Sequence, residues 1–298
     1  MPRAVYTALF GGYEPLQEQP QARASSVPFI CFTDDPNLTS TTWDVRVVEP
    51  PLVADPVRSA RMLKIRGHDQ LAEFDETLWI DNRIVLTVDP EVVLDEWLAD
   101  AELALPWHSF RDTVEGEFEI VALTRLDDPA RIWEQFSHYQ RHYSQILAGR
   151  PHWTAIIARR NTAAVARAMG VWSDHVLRYS RRDQLSESVA LASTELRINS
   201  VTLDNLGSHL HEWPAASKRH FSAYVGRLDA PIATVEEVKL SLDELMIDAA
   251  RAVEARELQI RVLQDELAAI RRSRSWAVTA PIRSVGDLRS RIVRRISR

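Results

Sequence analysis

Short apolar runs that alternate with helical patterns over the first third of the chain restrict it to an α/β fold. Ala4 to Phe10, Phe29 to Phe32, Val45 to Val48 and Leu78 to Leu86 read as strands, since each is a brief apolar run bounded by turn formers. Between the third and fourth, Val57 to Ala72 reads as a helix, and Pro50, Pro51 and Pro56 enforce an extended approach to it. Strand, helix and strand in that order make a crossover, so the expected sheet is mixed and mostly parallel.

Further along, Asp89 and Asp128 each precede a proline and read as helix N-caps, with Pro90 and Pro129 at the first helical position. In the second of these helices Ile132, Phe136, Tyr139, Tyr143 and Ile146 recur at three-to-four spacing and mark one buried face. Trp153 to Ala158 reads as a strand, and Thr162 to Tyr179 as a helix with Val165, Met169, Trp172 and Val176 inward. Another helix begins near Asp183, after which Ser193 to Trp213 weakens into short strands and loops. Pro214 and Pro231 bracket a domain exit, which places the main domain at residues 1–232. Residues 233–272 contain neither proline nor glycine from Val235 onward and carry a heptad seam through Met246, Val253, Ile260 and Leu267, expected to pair two copies of the chain as a coiled coil. Residues 273–298 form a basic tail.

Composition narrows the functional classes. The 298 residues are 45% apolar and 26% charged, as in soluble globular proteins. No window approaches the roughly 20 apolar residues needed to span a bilayer, and the first residues lack a secretory pattern. Cys31 is the only cysteine, so no internal disulfide or multi-thiolate zinc site is possible, and a cytoplasmic location is expected. The net charge is -6, yet Arg271 to Arg298 holds nine arginines against the single acid Asp287. An acidic body does not suit nucleic acid, whereas the tail suits peripheral contact with anionic lipid at the inner face of the plasma membrane.

Several segments carry candidate chemistry. Tyr6 to Tyr13, YTALFGGY, puts Gly11 and Gly12 directly after the first strand, where the chain either simply turns or lets a nucleotide approach its backbone. The third glycine of a dinucleotide fingerprint is lacking. Arg58, Arg61, Lys64 and His68 share one helix face, suited to clamping a diphosphate or merely to solvation. In LWIDNRI, Asp81 and Asn82 interrupt an apolar strand, and a buried carboxylate there needs compensation. Asp81 is the candidate ligand of a divalent cation, manganese or magnesium, held against a diphosphate. Arg83, two residues on, either neutralises the diphosphate itself or pairs with Asp81. WHSFRDTVEGE and RRDQLSES mix acids, bases and amides: His108, Asp112, Glu115 or Asp183 can take an acceptor proton, and Gln184 can bond a sugar. Helix capping by Asp183 and surface ion pairing by the others are the plainer alternatives.

YTALFGGYEPL, FICFTDDP, DPVRSARMLKIRGH, LWIDNRI, HSFRD and RRDQLS occur in the order of one family. Over Ala4 to Val201 the chain resembles the glycosyltransferase-like domain family that includes the plant turgor-regulation-defect and mucilage-related proteins. That resemblance implies a GT-A-like fold. It puts Tyr6 to Gly12, including Ala8, and Asp34 near the nucleotide, with Arg61 and Lys64 near its phosphates; Arg58, on the same helix face, is a further donor-binding candidate. Asp81, followed by Asn82 and Arg83, falls at the metal-signature position. Asp183 and Gln184 resemble an Asp-Gln pair beside the donor sugar in family 8 glycosyltransferases. His108 joins Asp81 and Asp183 as a catalytic candidate, and Arg111 and Asp112 face the acceptor. The tail segment SRSWAVTAPIR is similar to one that follows coiled coils in bacterial surface-glycan transferases. The expected activity is transfer of a sugar from a nucleotide-diphosphate donor to a hydroxyl of a surface polysaccharide or lipid-linked glycan. The alternative is a non-catalytic, nucleotide-sugar-binding scaffold subunit of a glycan-assembly complex.

Overall fold

The computed structural model describes residues 1–214 of the chain. The coiled-coil helix at 233–272, the basic tail and the boundary near residue 232 lie outside the described residues.

A seven-stranded sheet organises the described residues, in the order β3-β2-β1-β4-β7-β6-β8. Its strands are β1 (Arg3–Leu9), β2 (Phe29–Thr33), β3 (Asp44–Val47), β4 (Glu76–Ile80), β6 (Leu103–Pro106), β7 (Ile156–Arg160) and β8 (Ile198–Val201). β1 to β4 run parallel to one another, and β6 runs parallel to β8. β7 alone is antiparallel to its neighbours β4 and β6. The sheet is therefore mixed and mostly parallel, as the strand rhythm requires.

Alternation along each strand sends successive side chains to opposite layers. Tyr6, Ala8, Ile30, Phe32 and Trp79 face a layer made by α1 (Pro56–Arg66), α6 (Ala163–Arg178) and α7 (Gln184–Ala192). Val5, Leu9, Cys31, Leu78 and Ile80 face the other, where α2 (Pro90–Trp97) supplies Val93, Leu94 and Trp97. Burial pushes the Cys31 thiol up to about 12, so it is an inert core group. A third apolar cluster joins α3 (Val114–Leu123), α4 (Pro129–His142), α5 (Ser144–Leu147) and α7. Ile132 and Tyr139 are buried in it, and Phe136, Tyr143 and Ile146 pack against it. That aromatic stripe is core, as its spacing indicates.

Helix starts follow the sequence closely. The Asp89 and Asp128 side chains accept from Glu91 N and Ala130 N, each with proline next in line. Thr162 caps α6 by accepting from Val165 N at 3.2 Å, and Val165, Met169, Trp172 and Val176 are all buried.

Two expectations fail for identifiable reasons. The helix expected to reach Ala72 stops at Arg66, because Gly67 takes a φ of +78° and its N–H closes on Leu63 O at 2.8 Å. His68 therefore stacks on Phe32 at 4.7 Å between ring centroids instead of extending the basic helix face. The strand expected over Leu78 to Leu86 is two. β4 ends at Ile80, a turn closes with Ile84 N on Asp81 O at 2.8 Å, and β5 (Val85–Leu86) pairs with β9 (His211–Glu212) in a separate sheet. Asp81 and Asn82 thus lie at a strand tip, where a polar group has somewhere to point.

Candidate functional site at the strand ends

The carboxyl ends of the central strands lie side by side, and each releases the chain into a polar residue or a glycine turn. β1 runs out into Gly11 and Gly12, with φ of +71° and +57°. A Cβ on Gly11 would sit 3.0 Å from Pro56 Cβ at the start of α1. Asp34, just past β2, accepts from Gly11 N at 2.9 Å. The turn and Asp34 thus brace one another.

The antiparallel β7 brings its first residues to meet the tip of β4. Asp81 N donates to Ala155 O at 2.8 Å, and Thr154 sits just before. Asp81 Oδ1 accepts from Trp79 Nε1 at 2.8 Å and lies 3.2 Å from Lys64 Nζ. Lys64 also reaches Asp183 Oδ2 at 2.7 Å and Thr154 Oγ1 at 3.1 Å. Arg61 Nε lies 3.0 Å from the other Asp183 oxygen. The Lys64 side chain is 1% exposed, that of Asp183 4% and that of Asp81 31%, so the ammonium is sealed behind the carboxylates while Asp81 opens outward.

The helix positions explain this convergence. Arg61 and Lys64 are one turn apart on α1. Asp183 is the N-cap residue of α7, yet its side chain makes no cap bond, because it points at α1 instead. Trp172 Nε1 holds the Asp183 carbonyl at 2.8 Å. Burial opposes the Asp183 charge, but Arg61, Lys64 and Arg182 overcome it and hold the carboxyl well below the usual range. Burial likewise works against Arg61, and Asp183 and Asp81 more than restore its charge.

A cavity of about 220 Å³ opens in front of this cluster, lined by Arg61, Asp81, Arg83, Arg182, Glu14 and Ala8 among others. Arg83 pairs with Glu14 at 3.1 Å, not with Asp81. Asn82 Nδ2 donates to Glu14 Oε1 at 3.0 Å and Pro15 O at 2.9 Å, and Asn82 Oδ1 accepts from Gln17 N at 2.8 Å. Asn82 and Arg83 hold down the segment that follows the glycine turn and so shape the cavity wall.

Other candidates lie differently. Tyr6 is fully buried, donates its hydroxyl to Lys64 O at 2.9 Å and packs edge-on against Trp79. It supports α1 from below and cannot reach a donor. Arg58 is committed to Asp55 at 2.7 Å and to the Val176 and Tyr179 carbonyls at 3.0 and 2.8 Å. It satisfies the end of α6 instead of clamping phosphate. His108 Nδ1 accepts from Phe110 N at 3.0 Å, and Nε2 is 4.0 Å from Glu117. Burial, then Arg111 and Arg150, pushes His108 down to about 4. With its basic nitrogen already occupied, this ring is a poor proton acceptor. Arg111 pairs with Glu117 at 2.9 Å, Asp112 and Glu115 are exposed, and Gln184 is buried at the first turn of α7.

The structure also supplies residues not singled out from sequence. Arg182 lines the cavity, and its buried Nε has no hydrogen-bond partner; Arg61 Nε is likewise without one, its ion pair being off line. Thr154 joins Lys64 to Asp183, its hydroxyl accepting from Lys64 Nζ and donating to Asp183 Oδ2, each at 3.1 Å. Behind it, His152 bonds Glu187 Oε1 at 2.7 Å and Ser200 Oγ at 2.8 Å, tying the edge strand β8 to α7. A larger cavity, about 540 Å³, lies beyond the opposite end of β4, beside Arg66, Arg159 and Thr162. Its arginines are engaged: Arg66 with Asp174, Arg159 with Ile65 O, and Arg160 with Leu98 O.

At the strand ends the carboxylates of Asp81 and Asp183 are already paired with cations. Among the described residues no group of three or more His, Cys, Asp or Glu side chains is arranged to hold one. The seat between Asp81 and Asp183 is filled by the Lys64 ammonium.

A model of the TOD1/MUCI70 glycosyltransferase-like domain matches residues 3–206. The chain belongs to this family. That span includes every strand from β1 to β8 and the whole charged cluster. Among solved structures, the chain is similar to the WbbM bifunctional glycosyltransferase, at 13% identity and a TM-score of 0.41, over 66% of this chain and 38% of that one. It is also similar to the mannosyltransferase Ktr4p from S. cerevisiae, at 10% identity and a TM-score of 0.37, over 66% of each chain. A search of curated proteins finds no match.

Proposed function

We propose that the protein is a glycosyltransferase that binds a nucleotide-diphosphate sugar at the strand ends and passes the sugar to a hydroxyl of a glycan or lipid-linked acceptor. The observation that carries this reading is the pair Arg61 and Arg182. Both line a cavity at the carboxyl ends of parallel strands; the buried Nε of Arg182 has no hydrogen-bond partner, and that of Arg61 is met only by its ion pair with Asp183. Buried unsatisfied donors are costly, and guanidinium groups match phosphate oxygens in geometry as well as charge.

The chemistry follows from where charge develops. Transfer breaks the bond between the sugar's anomeric carbon and the diphosphate, which departs with the electron pair, while the acceptor oxygen bonds to that carbon and releases a proton. Arg61 and Arg182 meet the negative charge on the departing diphosphate; removing one such preorganised donor costs on the order of 10² to 10³ in rate. Asp81, with one oxygen held by Trp79 and Lys64, turns the other toward the cavity to accept from a donor hydroxyl. Asn82, Arg83 and Glu14 keep the facing wall in place.

Release of nucleoside diphosphate from a panel of nucleotide sugars, with candidate glycan acceptors present, tests this directly. We expect turnover with one donor, abolished in Asp81→Ala and reduced roughly a hundredfold in Arg182→Gln. Tight donor binding without turnover under any acceptor would favour the scaffold alternative. No binding of any donor would overturn both.

A further inference from the structure

We infer that Lys64 is the site's built-in cation: its ammonium holds the place between Asp81 and Asp183 that a divalent ion would otherwise take, and a nucleoside diphosphate binds there without metal. This rests on the reading of the cavity as a nucleotide-sugar site.

Lys64 is committed in all its valences. Its three protons have three acceptors, Asp81 Oδ1 at 3.2 Å, Asp183 Oδ2 at 2.7 Å and Thr154 Oγ1 at 3.1 Å. The side chain is 1% exposed, and its own carbonyl is fixed by Tyr6 from the core side. There is no direction in which the ammonium can withdraw. A metal seated on the same carboxylates would have to displace it or sit within a few ångströms of it, with Arg61 also 3.0 Å from Asp183. Magnesium demands near-octahedral oxygen ligation at about 2.1 Å and calcium still more ligands. Asp81 Oδ1 already accepts from Trp79 and Lys64, which leaves Asp81 one oxygen toward the cavity, a single protein ligand.

Electrostatics points the same way. Arg61, Lys64 and Arg182 outnumber Asp81 and Asp183 around the cavity, while Arg83 is balanced by Glu14. The wall is net positive before any ligand arrives. An added dication would be repelled, whereas a diphosphate would be attracted by the guanidinium groups of Arg61 and Arg182 that line the cavity. Lys64 is a positioning residue here. It does not touch the ligand; it fixes both carboxylates so that Arg61 and Asp81 face the cavity.

The test is calorimetric titration of the full-length chain with nucleoside diphosphates of each base, in EDTA and in manganese chloride. The expected result is one base that binds equally in both, within about twofold. In Lys64→Met the same nucleotide should bind at least about tenfold more weakly in either buffer. Binding that tightens tenfold or more with manganese would overturn the inference and leave the donor-site reading standing. Unchanged affinity in a folded Lys64→Met would also overturn it. Failure of every nucleoside diphosphate in both buffers would remove the donor-site reading and this inference together. The comparison between buffers needs no variant, so a Lys64→Met chain that fails to fold leaves the test intact.

Discussion

Replacing Asp183 by Asn removes one charge from the enclosed ion cluster at the strand ends, and the consequence can be worked out from its partners. The carboxylate meets Lys64 at 2.7 Å, Arg61 at 3.0 Å and the Thr154 hydroxyl at 3.1 Å. An amide keeps one acceptor oxygen but turns its NH2 toward a cation, leaving Arg61, Lys64 and Arg182 against one remaining carboxylate, Asp81. Breaking a buried pair from one side costs about 3–5 kcal/mol. For a body of this size that is a fall of roughly 10 °C in Tm. The dependence on pH is specific. The folded Asp183 carboxyl is depressed, against its burial, by Arg61, Lys64 and Arg182. Its contribution is therefore complete above the unfolded value of about 3.9 and is lost as pH falls through the folded one. Urea unfolding of wild type and Asp183→Asn should show a constant gap from neutral pH down to that value, narrowing in stronger acid. A gap below about 1 kcal/mol at neutral pH, or one that does not narrow, would refute the reasoning.

Gly11→Ala should lower stability by about 1–2 kcal/mol, since its φ is +71° and the new Cβ meets Pro56 at 3.0 Å. Gly12→Ala, at φ +57° with open space around it, should cost less; equal losses in thermal melts would contradict the packing role given to Gly11. His108 should titrate by NMR near its depressed value of about 4. Its neutral form favours the fold, so its contribution is complete above the unfolded value of about 6.5 and is lost as pH falls through the folded one; a midpoint above 6 would show the ring to be more open than described. Arg182→Gln should weaken nucleoside diphosphate binding at least about tenfold without lowering Tm, because the guanidinium is desolvated and only partly paired in the free protein. A large loss of Tm would make Arg182 structural.

The architecture was legible wherever periodicity or a cap was strong. β1 and β2, the Asp-Pro starts of α2 and α4, and the full length of α6 follow directly from their residue patterns. Apolarity alone cannot see a turn between two strands that belong to different sheets, so Leu78 to Leu86 looked continuous. β6 escaped notice because its four residues, Leu103–Pro106, are a short run ending in proline. At the site, Arg61, Lys64, Asp81 and Asp183 were identified from the sequence, and the fold brings them together. Their mutual pairing was not legible, since it joins the middle of α1, the tip of β4 and the start of α7. Arg58, one turn before Arg61, shows the limit of helical spacing: it shares a face but reaches the end of α6 instead. Arg182 had a signal in hand, the basic residue directly before Asp183, which spacing rules alone do not rank.

The most direct measurement is a crystal structure of the full chain with the nucleoside diphosphate selected by titration. Diphosphate oxygens within about 3 Å of the Arg61 and Arg182 guanidinium groups, in front of an undisturbed Lys64, are the predicted result. A nucleotide seated instead beside Arg159 and Thr162 at the far end of the sheet, with Arg61 and Arg182 untouched, would contradict it.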